Sequence, residues 1–444
     1  MAGEWQADSL ERLIDVKHGF AFAGEHIHET PRGDVLLTPG NFAIGGGFKG
    51  DKFKYYDGPV PEGFVLREGE LIVTMTDLSK QSDTLGYPAF VPSRSDGRRF
   101  LHNQRLGKVH VKDDRAIDTR FLHYLLCGDS YRHEVLASAT GTTVKHTSPD
   151  RIRRFKFSRP PLPEQRAIAH ILGTLDDKID LNRRTSETLE AMARALFKSW
   201  FVDFDPVRAK AEGRDPGLPK PLADLVPARL VDSELGEIPE GWDIGLILDH
   251  ARLMSGGTPK TDRAEYWSGA IAWASAKDVS QSPGTFLVAT ERTITERGLN
   301  DSSTQMVPAL CSVVVARGAT TGRMVLLGCD MAMNQTCYAL ASTTETPFAL
   351  YCRLRVEIDA LVNAAHGSVF DTITTSTFAS SRVVLPPKAL LKAFEERAAP
   401  LLLRVLESTR ETRTLVALRD TLLPKLISGE LRVKGVKRSV EAVA

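Results

Sequence analysis

An internal duplication constrains the fold of this chain more than any other feature of its sequence. A Gly-containing turn at 141–144 precedes the proline pair at 160–161, and a similar turn at 367–370 precedes the proline pair at 386–387. The offset is 226 residues in both cases (367 − 141 and 386 − 160). The repeated unit is a globule followed by a long helix, and two such halves indicate a pseudo-twofold protein that could read two related sites on one ligand.

The repeat continues upstream of these turns with small gaps. Aromatic and amide residues recur in the same order in both halves. The matched residues are Trp5 with Trp242, Asn103 and Gln104 with Asn334 and Gln335, and Phe121 and Tyr124 with Phe348 and Tyr351.

A long amphipathic pattern follows each globule. Between Glu164 and Phe201 there is no proline, and alternate steps of four and three residues select an apolar stripe with a polar centre. This stripe is Ile168, Leu172, Leu175, Ile179, Asn182, Ser186, Leu189, Ala193, Leu196 and Trp200. Adding 226 to each position gives Phe394, Ala398, Leu401, Val405, Ser408, Thr412, Leu415, Arg419, Leu422 and Leu426. Only Arg419 departs from the apolar or polar character of its counterpart.

Two helices with matched stripes most simply pack on each other. Because each helix follows its own globule, we expect an antiparallel coiled coil. The alternative, in which each helix packs on its own globule, stays open. We expect Pro400 and Pro424 to kink the second helix.

The predicted fold is therefore α+β, with two β-rich globules, each followed by a long helix, and a pseudo-twofold duplication. The connector between the halves is rich in proline and is expected to be extended, and the basic tail is expected to be frayed. The predicted divisions are a first globule at 1–161, a central helix at 162–204, a connector at 205–240, a second globule at 241–386, a C-terminal helix at 387–431 and a tail at 432–444.

Composition restricts the class of protein. A hydrophobic fraction of 42% and a charged fraction of 25% are typical of globular proteins. No apolar stretch has the length of a membrane span and the N-terminus has no signal-peptide pattern, so we expect a cytoplasmic protein without a membrane partner. The five cysteines show no C-x-x-C spacing, which favours free thiols over a metal site or disulfides.

Motifs for catalysis are missing from the sequence. Residues 45–50 match G-x-G-x-x-G, but no helical pattern follows them, so a turn is favoured over a dinucleotide site. A P-loop, an Asn-Pro-Pro-aromatic motif for amino methylation of a base, H-E-x-x-H and G-x-S-x-G do not occur. We assign no catalytic residue, and the chain is predicted to have a recognition or scaffold role.

Residues suited to nucleic acid are present. Two Gly-rich loops, at 255–260 and 317–323, carry hydroxyls and cations, and basic residues cluster at 94–108 and 151–159. Lys and Arg suit phosphate or guanine, and Asn and Gln suit adenine, although ordinary turns and solvated basic faces are alternative interpretations. The net charge of +1 does not decide between them. The candidate DNA-contacting residues are Lys17, Asn103, Gln104, Arg105, Thr142, Thr143, Lys145, Arg151, Arg153, Thr258, Lys260, Arg317, Thr320, Thr321, Arg323, Asn334 and Gln335.

Several longer motifs resemble the specificity subunit of type I restriction–modification enzymes, and the resemblance covers the whole chain in the order of that family. The motifs are PLPEQRAIA at 161–169, LDDKIDLNRR at 175–184 followed by Leu189 and Glu190, ALFKSWFVDF at 195–204, SELGEIPEGW at 233–242 and LRDTLLPKLISGEL at 418–431.

The resemblance implies two target-recognition domains, each of which binds one half of a split, asymmetric sequence in double-stranded DNA, with the helices as a ruler between them. It implies no cofactor in this chain. It also implies two methyltransferase subunits that methylate adenine N6 with S-adenosylmethionine, and restriction subunits that use ATP and Mg for translocation and cleavage.

One departure from the family pattern lies at the start of the second helix. Lys388-Ala389-Leu390-Leu391 stands where the first helix has Leu-Pro-Glu-Gln, so the two helix starts are expected to dock partners less symmetrically. Two other hypotheses stay open at this point: a two-headed coiled-coil scaffold that binds protein only, and a self-sufficient DNA methyltransferase or nuclease. The second would require cofactor motifs that the sequence does not contain.

Overall fold

The computed structural model describes residues 4–77, 79, 83–141, 144–364 (with main chain alone at 363 and 364) and 372–433. The chain divides into two compact units. Unit 1 comprises Met1–Lys178 and Leu415–Ala444, and unit 2 comprises Ile179–Thr414. Each long helix therefore contributes one segment to unit 1 and one to unit 2.

The first half of the chain consists of short strands and four short helices before a long helix. The strands are β1 (Gln6–Ser9), β2 (Ile14–His18), β3 (Ile27–His28), β4 (Asp34–Leu37), β5 (Lys54–Tyr56), β6 (Val65–Leu66), β7 (Leu71–Thr74), β8 (Thr76–Asp77), β9 (Pro88–Phe90), β10 (Phe100–His102), β11 (Leu106–Val111), β12 (Lys145–His146) and β13 (Lys156–Arg159). The helices are α1 (Leu10–Leu13), α2 (Thr119–Cys127), α3 (Asp129–Ala137), α4 (Pro149–Arg153) and the long α5 (Leu162–Phe201).

The second half follows the same plan after a connecting segment. Its strands are β14 (Leu230–Ser233), β15 (Gly236–Pro239), β16 (Asp243–Leu246), β17 (Ala251–Ser255), β18 (Trp267–Ala274), β19 (Phe286–Leu287), β20 (Arg292–Ile294), β21 (Met306–Val307), β22 (Ser312–Val315), β23 (Met324–Leu327), β24 (Met331–Met333), β25 (Cys337–Ser342) and β26 (Arg382–Leu385). Its helices are α6 (Asp205–Ala211), α7 (Lys220–Ala223), α8 (Ala276–Gln281), α9 (Glu296–Asn300), α10 (Pro347–Ala364), α11 (Thr375–Ser380) and the long α12 (Lys388–Ser428).

The sheets of the two units have corresponding topologies. In unit 1 one sheet has the order β2-β11-β7-β9 and the other β3-β5-β4-β10-β6, with β4 and β10 parallel. In unit 2 the corresponding orders are β17-β25-β22-β23-β19 and β20-β18-β24-β21, with β18 and β24 parallel. A parallel pair inside an otherwise antiparallel sheet needs a crossover connection, so its presence in both units supports the duplication.

In unit 1 the start of α5 packs against the end of α12. Ile168 and Leu172 of α5 are fully buried in one apolar cluster with Leu426 of α12 and with residues of α2. Nearer the middle of the helices, Arg419 Nη1 donates to Asp176 Oδ1 at 3.0 Å. Residues later in α5 therefore contact residues earlier in α12, so the two segments are antiparallel.

The same ion pair explains why Arg419 departs from the apolar stripe. Asp176 Oδ2 also accepts a hydrogen bond from the Tyr124 hydroxyl at 2.7 Å, so the carboxylate links α2, α5 and α12. Burial raises the pKa of Tyr124 far above its usual value, and the neighbouring Asp176 carboxylate adds to this shift. The polar residue at this position is therefore a partner of a specific carboxylate on the opposite helix.

In unit 2 the end of α5 packs against the start of α12. The ring of Phe394 lies 5.4 Å from that of Phe197 and 5.6 Å from that of Phe201. At the polar centre, Asn182 Nδ2 donates to Glu411 Oε2 at 2.9 Å and lies 3.4 Å from Thr412 Oγ1. The segments are again antiparallel. All positions of both predicted stripes are buried or half-buried, and the predicted α+β fold with paired antiparallel helices is confirmed.

One local expectation needs correction. The connector at 205–240 is not extended: it contains α6, α7 and the β14–β15 hairpin, and Val207, Val226 and Ile238 are buried. Pro206 and Pro221, two of the prolines that suggested an extended segment, instead occupy first-turn positions of α6 and α7, where a missing N–H is tolerated. Helix α12 continues through Pro400 and Pro424, and the kink expected at these residues stays a prediction.

The structure also defines the Gly-rich segment near residue 46, the cysteines and the helix lengths. The segment at 45–47 forms a turn with positive φ at each of its glycines, as predicted. All five cysteines are free. Among the residues that the structure describes, no helix combines the length and apolarity that crossing a bilayer would require.

We predict that Phe394→Ala lowers the free energy of unfolding of unit 2 by about 3–5 kcal/mol, because it empties a fully buried ring site between α5 and α12. Urea denaturation followed by tryptophan fluorescence measures the change, since Trp200 lies beside Phe394. The control is Leu403→Ala on the same helix, where the side chain is 41% exposed and the change should stay within about 0.5 kcal/mol. Equal losses in both variants would contradict the packing.

We also predict that unit 1 loses stability as the pH falls from about 6.5 towards 4. Burial lowers the pKa of His102 and of His123 to about 4, from 6.5 in the unfolded chain. Between these values the unfolded chain binds protons that the folded chain does not, so each histidine removes about 1.4 kcal/mol per pH unit.

Unfolding free energies measured at pH 7.5 and 5 test this dependence. His102→Gln and His123→Gln should each make the stability of unit 1 less sensitive to pH, because glutamine does not titrate. His133→Gln, at an exposed position on α3, is the matched control and should leave the dependence unchanged. The same sensitivity in all three variants would show that the buried imidazoles are not its source.

Candidate nucleic-acid interface

In unit 1, main-chain hydrogen bonds bring together four segments that are distant in sequence. Phe20 N donates to His102 O at 2.9 Å, and Met75 N donates to Arg105 O at 2.8 Å. Thr147 N then donates to Met75 O at 2.9 Å. Five of the candidate residues lie on these segments or on the strands that lead into them: Lys17, Asn103, Gln104, Arg105 and Lys145.

Unit 2 repeats this set of bonds. Gly257 N donates to Met333 O at 2.9 Å, Ala316 N to Thr336 O at 2.8 Å, and Ile373 N to Ala316 O at 2.8 Å. The acceptors Met333 and Thr336 follow their unit 1 counterparts by 231 residues (333 − 102 and 336 − 105). This frame brings together the segments that carry Thr258, Lys260, Arg317, Thr320, Thr321, Arg323, Asn334 and Gln335.

The Asn-Gln pair forms the same turn in both units. Asn103 Oδ1 accepts from the Arg105 main-chain N at 2.9 Å, and Asn334 Oδ1 accepts from the Thr336 main-chain N at 3.2 Å. The amide oxygen of each Asn is therefore occupied by its own turn, as is common for Asn at such positions. Gln104 and Gln335 are exposed, and Gln335 Oε1 accepts a hydrogen bond from the Thr258 hydroxyl.

The cations of the interface differ in their partners. In the described part of the chain, the side chains of one set of candidates form no ion pair with a carboxylate: Arg105, Lys145, Lys260, Arg317 and Arg323. Lys17 donates to the Gly63 carbonyl at 2.9 Å, and Arg151 donates to the Thr140 hydroxyl at 3.1 Å. Cations without an acidic neighbour remain available to phosphate.

Arg153 is placed differently from the other candidates. Its guanidinium lies within 4.0 Å of carboxylate oxygens of Glu11, Asp15 and Asp150. The basic residues predicted near 94–108 are also partly neutralised, since Arg99 pairs with Asp34 and Arg94 with Asp96. These contacts favour a structural role for Arg153 and for part of that basic cluster.

The Gly-rich hairpin of unit 2 is closed by residues in the left-handed region. Gly318 and Gly322 have φ values of 99° and 88°, which side chains other than glycine adopt only under strain. The Thr321 hydroxyl donates to the Gly318 carbonyl at 2.7 Å, and the Ser280 hydroxyl donates to Thr320 Oγ1 at 2.7 Å. The hairpin therefore holds Thr320 and the two exposed arginines on a defined turn.

The unit 1 counterpart of this hairpin is a segment that the sequence analysis missed. Met75 and Ala316 occupy equivalent places in the two frames, so the residues after Met75 correspond to those after Ala316. Buried Asp77 folds this segment by accepting bonds from the main-chain N of Ser79 at 2.6 Å and of Thr84 at 2.5 Å. The signal for this segment is the repeat itself, because the Gly-rich loop at 317–323 implies a counterpart at the equivalent place in the first half.

Asp77 is held as a carboxylate by these bonds. Burial raises the pKa of Asp77, but the main-chain N–H groups of Ser79 and Thr84 and the Thr84 hydroxyl lower it further, so the net shift is downward. An acceptor whose pKa lies below its usual value therefore organises the turn. The remaining unit 1 candidates, Thr142 and Thr143, lie outside the described residues.

The chain matches proteins of known family over most of its length. Residues 64–191 and 239–390, more than half of the chain, match the family model of the type I restriction modification DNA specificity domain. The type I restriction enzyme HindI specificity subunit of Haemophilus influenzae is 26% identical over 358 residues, which cover 70% of this chain and 77% of that protein.

Two further likenesses agree with this match. The MjaIX specificity subunit of Methanocaldococcus jannaschii is 23% identical over 336 residues, which cover 75% of this chain and 73% of that protein. The crystal structure of a type I restriction–modification S subunit from M. genitalium has the same fold, with a TM-score of 0.61, 16% identity and coverage of 95% of this chain and 96% of that one. The repeated globule-and-helix plan, the paired helices and the two matched domains together place the chain in the family of specificity subunits of type I restriction–modification systems, which are themselves non-catalytic and provide DNA target recognition to the complex.

Proposed function

We propose that this chain binds a split, asymmetric sequence in double-stranded DNA, with one half read by each unit. The repeated loop frame carries this proposal. In both units the same main-chain bonds join four segments: a Gly-containing loop, an Asn turn, the segment that begins at Met75 or Ala316, and the segment that contains Thr147 or Ile373. A frame repeated in two halves suits a ligand that presents two comparable half-sites.

The side chains on the repeated frame differ between the units, which supports an asymmetric target. Arg105 of unit 1 stands where unit 2 has Thr336, and the hairpin that carries Arg317 and Arg323 replaces a segment organised by Asp77. Base identity is read by side-chain donors and acceptors, so different side chains on one frame select different sequences. The cations without carboxylate partners would contact phosphates and fix the register.

Adenine N6 methylation is proposed to come from two partner methyltransferase subunits that hold S-adenosylmethionine. Restriction subunits would add ATP- and Mg-dependent translocation and cleavage.

The paired helices are the proposed docking element for the partner subunits. In unit 2, Met192 of α5 and Leu403 of α12 are 52% and 41% exposed, and the Asn182–Thr412 contact places them at nearly the same level of the antiparallel pair. A continuous apolar patch across two adjacent helices, to which these side chains would contribute, is typical of a protein contact.

The two helix starts are proposed to contact their partners differently. Glu164, in the first turn of α5, accepts bonds from the Trp5 indole and the Arg432 guanidinium, at 3.1 and 2.8 Å. The residue 226 positions later is buried Leu390, which makes no such pair. The two helix starts are therefore packed differently around buried residues, which supports different contacts with the two methyltransferase subunits.

The direct test is a methylome. The chain and its methyltransferase partner are expressed in a host without adenine methylation, and modified adenines are mapped by single-molecule sequencing. We expect a split motif with one modified adenine in each half, on opposite strands. A strain with the partner alone should show no such motif. Absence of the motif with an active, correctly paired methyltransferase would favour the protein-only scaffold.

A second test concerns the hairpin of unit 2. Replacing Arg317 and Arg323 with alanine should make the second half of the motif degenerate and leave the first half unchanged, because each base contact contributes about 1–3 kcal/mol of discrimination. The measurement is the ratio of methylation at mismatched and matched sites. Arg297→Ala is the control, since this exposed arginine pairs with Asp301 at 3.3 Å. An unchanged second half in the double variant would remove both arginines from the interface.

A further inference from the structure

The loop of unit 2 that carries Thr258 and Lys260 is held by two tryptophans that lie outside the Gly-rich loops and the family motifs. Trp273 Nε1 donates to the Gly257 carbonyl at 3.0 Å, and Trp267 Nε1 donates to the Lys260 carbonyl at 3.1 Å. The bonds therefore hold the main chain on both sides of Thr258. Both tryptophans are buried, with 9% of Trp267 and 5% of Trp273 exposed.

The two indoles form one rigid support. Their rings meet edge to face, with centroids 5.2 Å apart and an interplanar angle of 88°. The guanidinium of Arg292 covers the outer indole, 3.4 Å from the centroid of Trp267. Aromatic side chains fixed on both faces have little freedom, so their N–H groups point in constant directions.

The opposite side of the loop is also closed. A Cβ on Gly256 would overlap the carbonyl of Asn334, and a Cβ on Gly257 would overlap the main chain of Thr304. Thr258 Oγ1 donates to Gln335, which joins the loop to the Asn turn. The loop therefore lies between the indole pair and the Asn turn, with Lys260 exposed and Thr258 half-buried.

Unit 1 holds its corresponding loop in another way. Phe20 occupies the place of Gly257 in the frame, and its ring packs on Phe22 and Phe64 with centroids 5.2 and 5.3 Å apart. Ring packing does not hold a main-chain carbonyl, whereas an indole N–H bond fixes one particular carbonyl. An effect of the tryptophans on recognition should accordingly be confined to the half-site of unit 2.

We infer that Trp267 and Trp273 are positioning residues for sequence recognition: their indole N–H groups fix the 256–260 loop so that Thr258 and Lys260 meet the second half of the DNA site in one geometry. This inference rests on the proposed function. Removing one N–H leaves a carbonyl without its partner and gives the loop more than one conformation, so discrimination falls while the fold is retained.

The test compares Trp267→Phe and Trp273→Phe with Trp242→Phe in the complete methyltransferase complex. Phenylalanine keeps an aromatic ring and removes the indole N–H. Trp242 is the matched control because it is buried in the same unit and its Nε1 has no hydrogen-bond partner among the described residues. The readout is methylation of DNA substrates that carry single mismatches in the first or the second half of the motif.

Trp267→Phe and Trp273→Phe, the two clamp variants, should each raise methylation at sites with a second-half mismatch by about tenfold relative to matched sites. This is the ratio expected for the loss of one hydrogen bond. First-half discrimination should not change, and Trp242→Phe should resemble the wild type in both halves. Combining Trp267→Phe with Lys260→Ala should add little to Lys260→Ala alone, since both act through the same loop.

Three results would overturn the inference. The clamp variants could discriminate against second-half mismatches as strongly as Trp242→Phe does, or they could lose discrimination equally in both halves. The third is that the effects of Trp267→Phe and Lys260→Ala are fully additive in the double variant. Thermal unfolding of the three variants identifies a general loss of stability, which would produce the second of these results. Failure of the proposed function is distinct, because the wild-type complex would then methylate no split motif at all.

Discussion

Burial of the apolar stripes on α5 and α12 is the constraint on which the rest of the molecule depends. A stripe as long as that of α5, which has 40 residues, cannot remain exposed to water, and it is covered only when the second helix runs antiparallel to it. The buried segments also complete the globules. Leu172 belongs to the core of unit 1 and Phe197 to that of unit 2. Each β-rich globule therefore depends on helices that it shares with the other half of the chain.

Polar residues inside the stripes restrict the register of this packing. Asn182 meets Glu411 and Thr412 in unit 2, and Asp176 meets Arg419 in unit 1. A shift of either helix by one turn would separate these partners and leave buried polar groups unsatisfied, which is unfavourable. Apolar side chains alone discriminate weakly between such registers. The few polar contacts thus give a long and otherwise regular interface one preferred alignment.

The recognition surface combines a repeated main chain with divergent side chains. Main-chain bonds at Met75 and Ala316 hold equivalent segments in both units, and these bonds do not depend on the side chains that the segments carry. Arg105 or Thr336 can therefore occupy one position of the frame without altering it. This separation explains how a duplicated globule can acquire a second specificity. It also explains why the supporting groups, such as Asp77 and the two indoles, differ between the halves.

Periodic patterns and long motifs, which tolerate local variation, are enough to predict the duplication, the two long helices and the family. They favour pairing of the two helices but leave open the packing of each helix on its own globule, and the contacts of Asp176 with Arg419 and of Asn182 with Glu411 establish the antiparallel arrangement. Which cations lack acidic partners depends on how the segments meet in the folded chain. Arg153 and Arg105 look alike in sequence, but Glu11 and Asp15 from a distant segment join Asp150 of the same helix beside Arg153. Among the residues that the structure describes, no carboxylate forms an ion pair with Arg105. The same holds for Trp267 and Trp273, whose indole N–H groups bind carbonyls of the 256–260 loop. The fold brings these groups together, and no residue spacing in the sequence indicates that they meet.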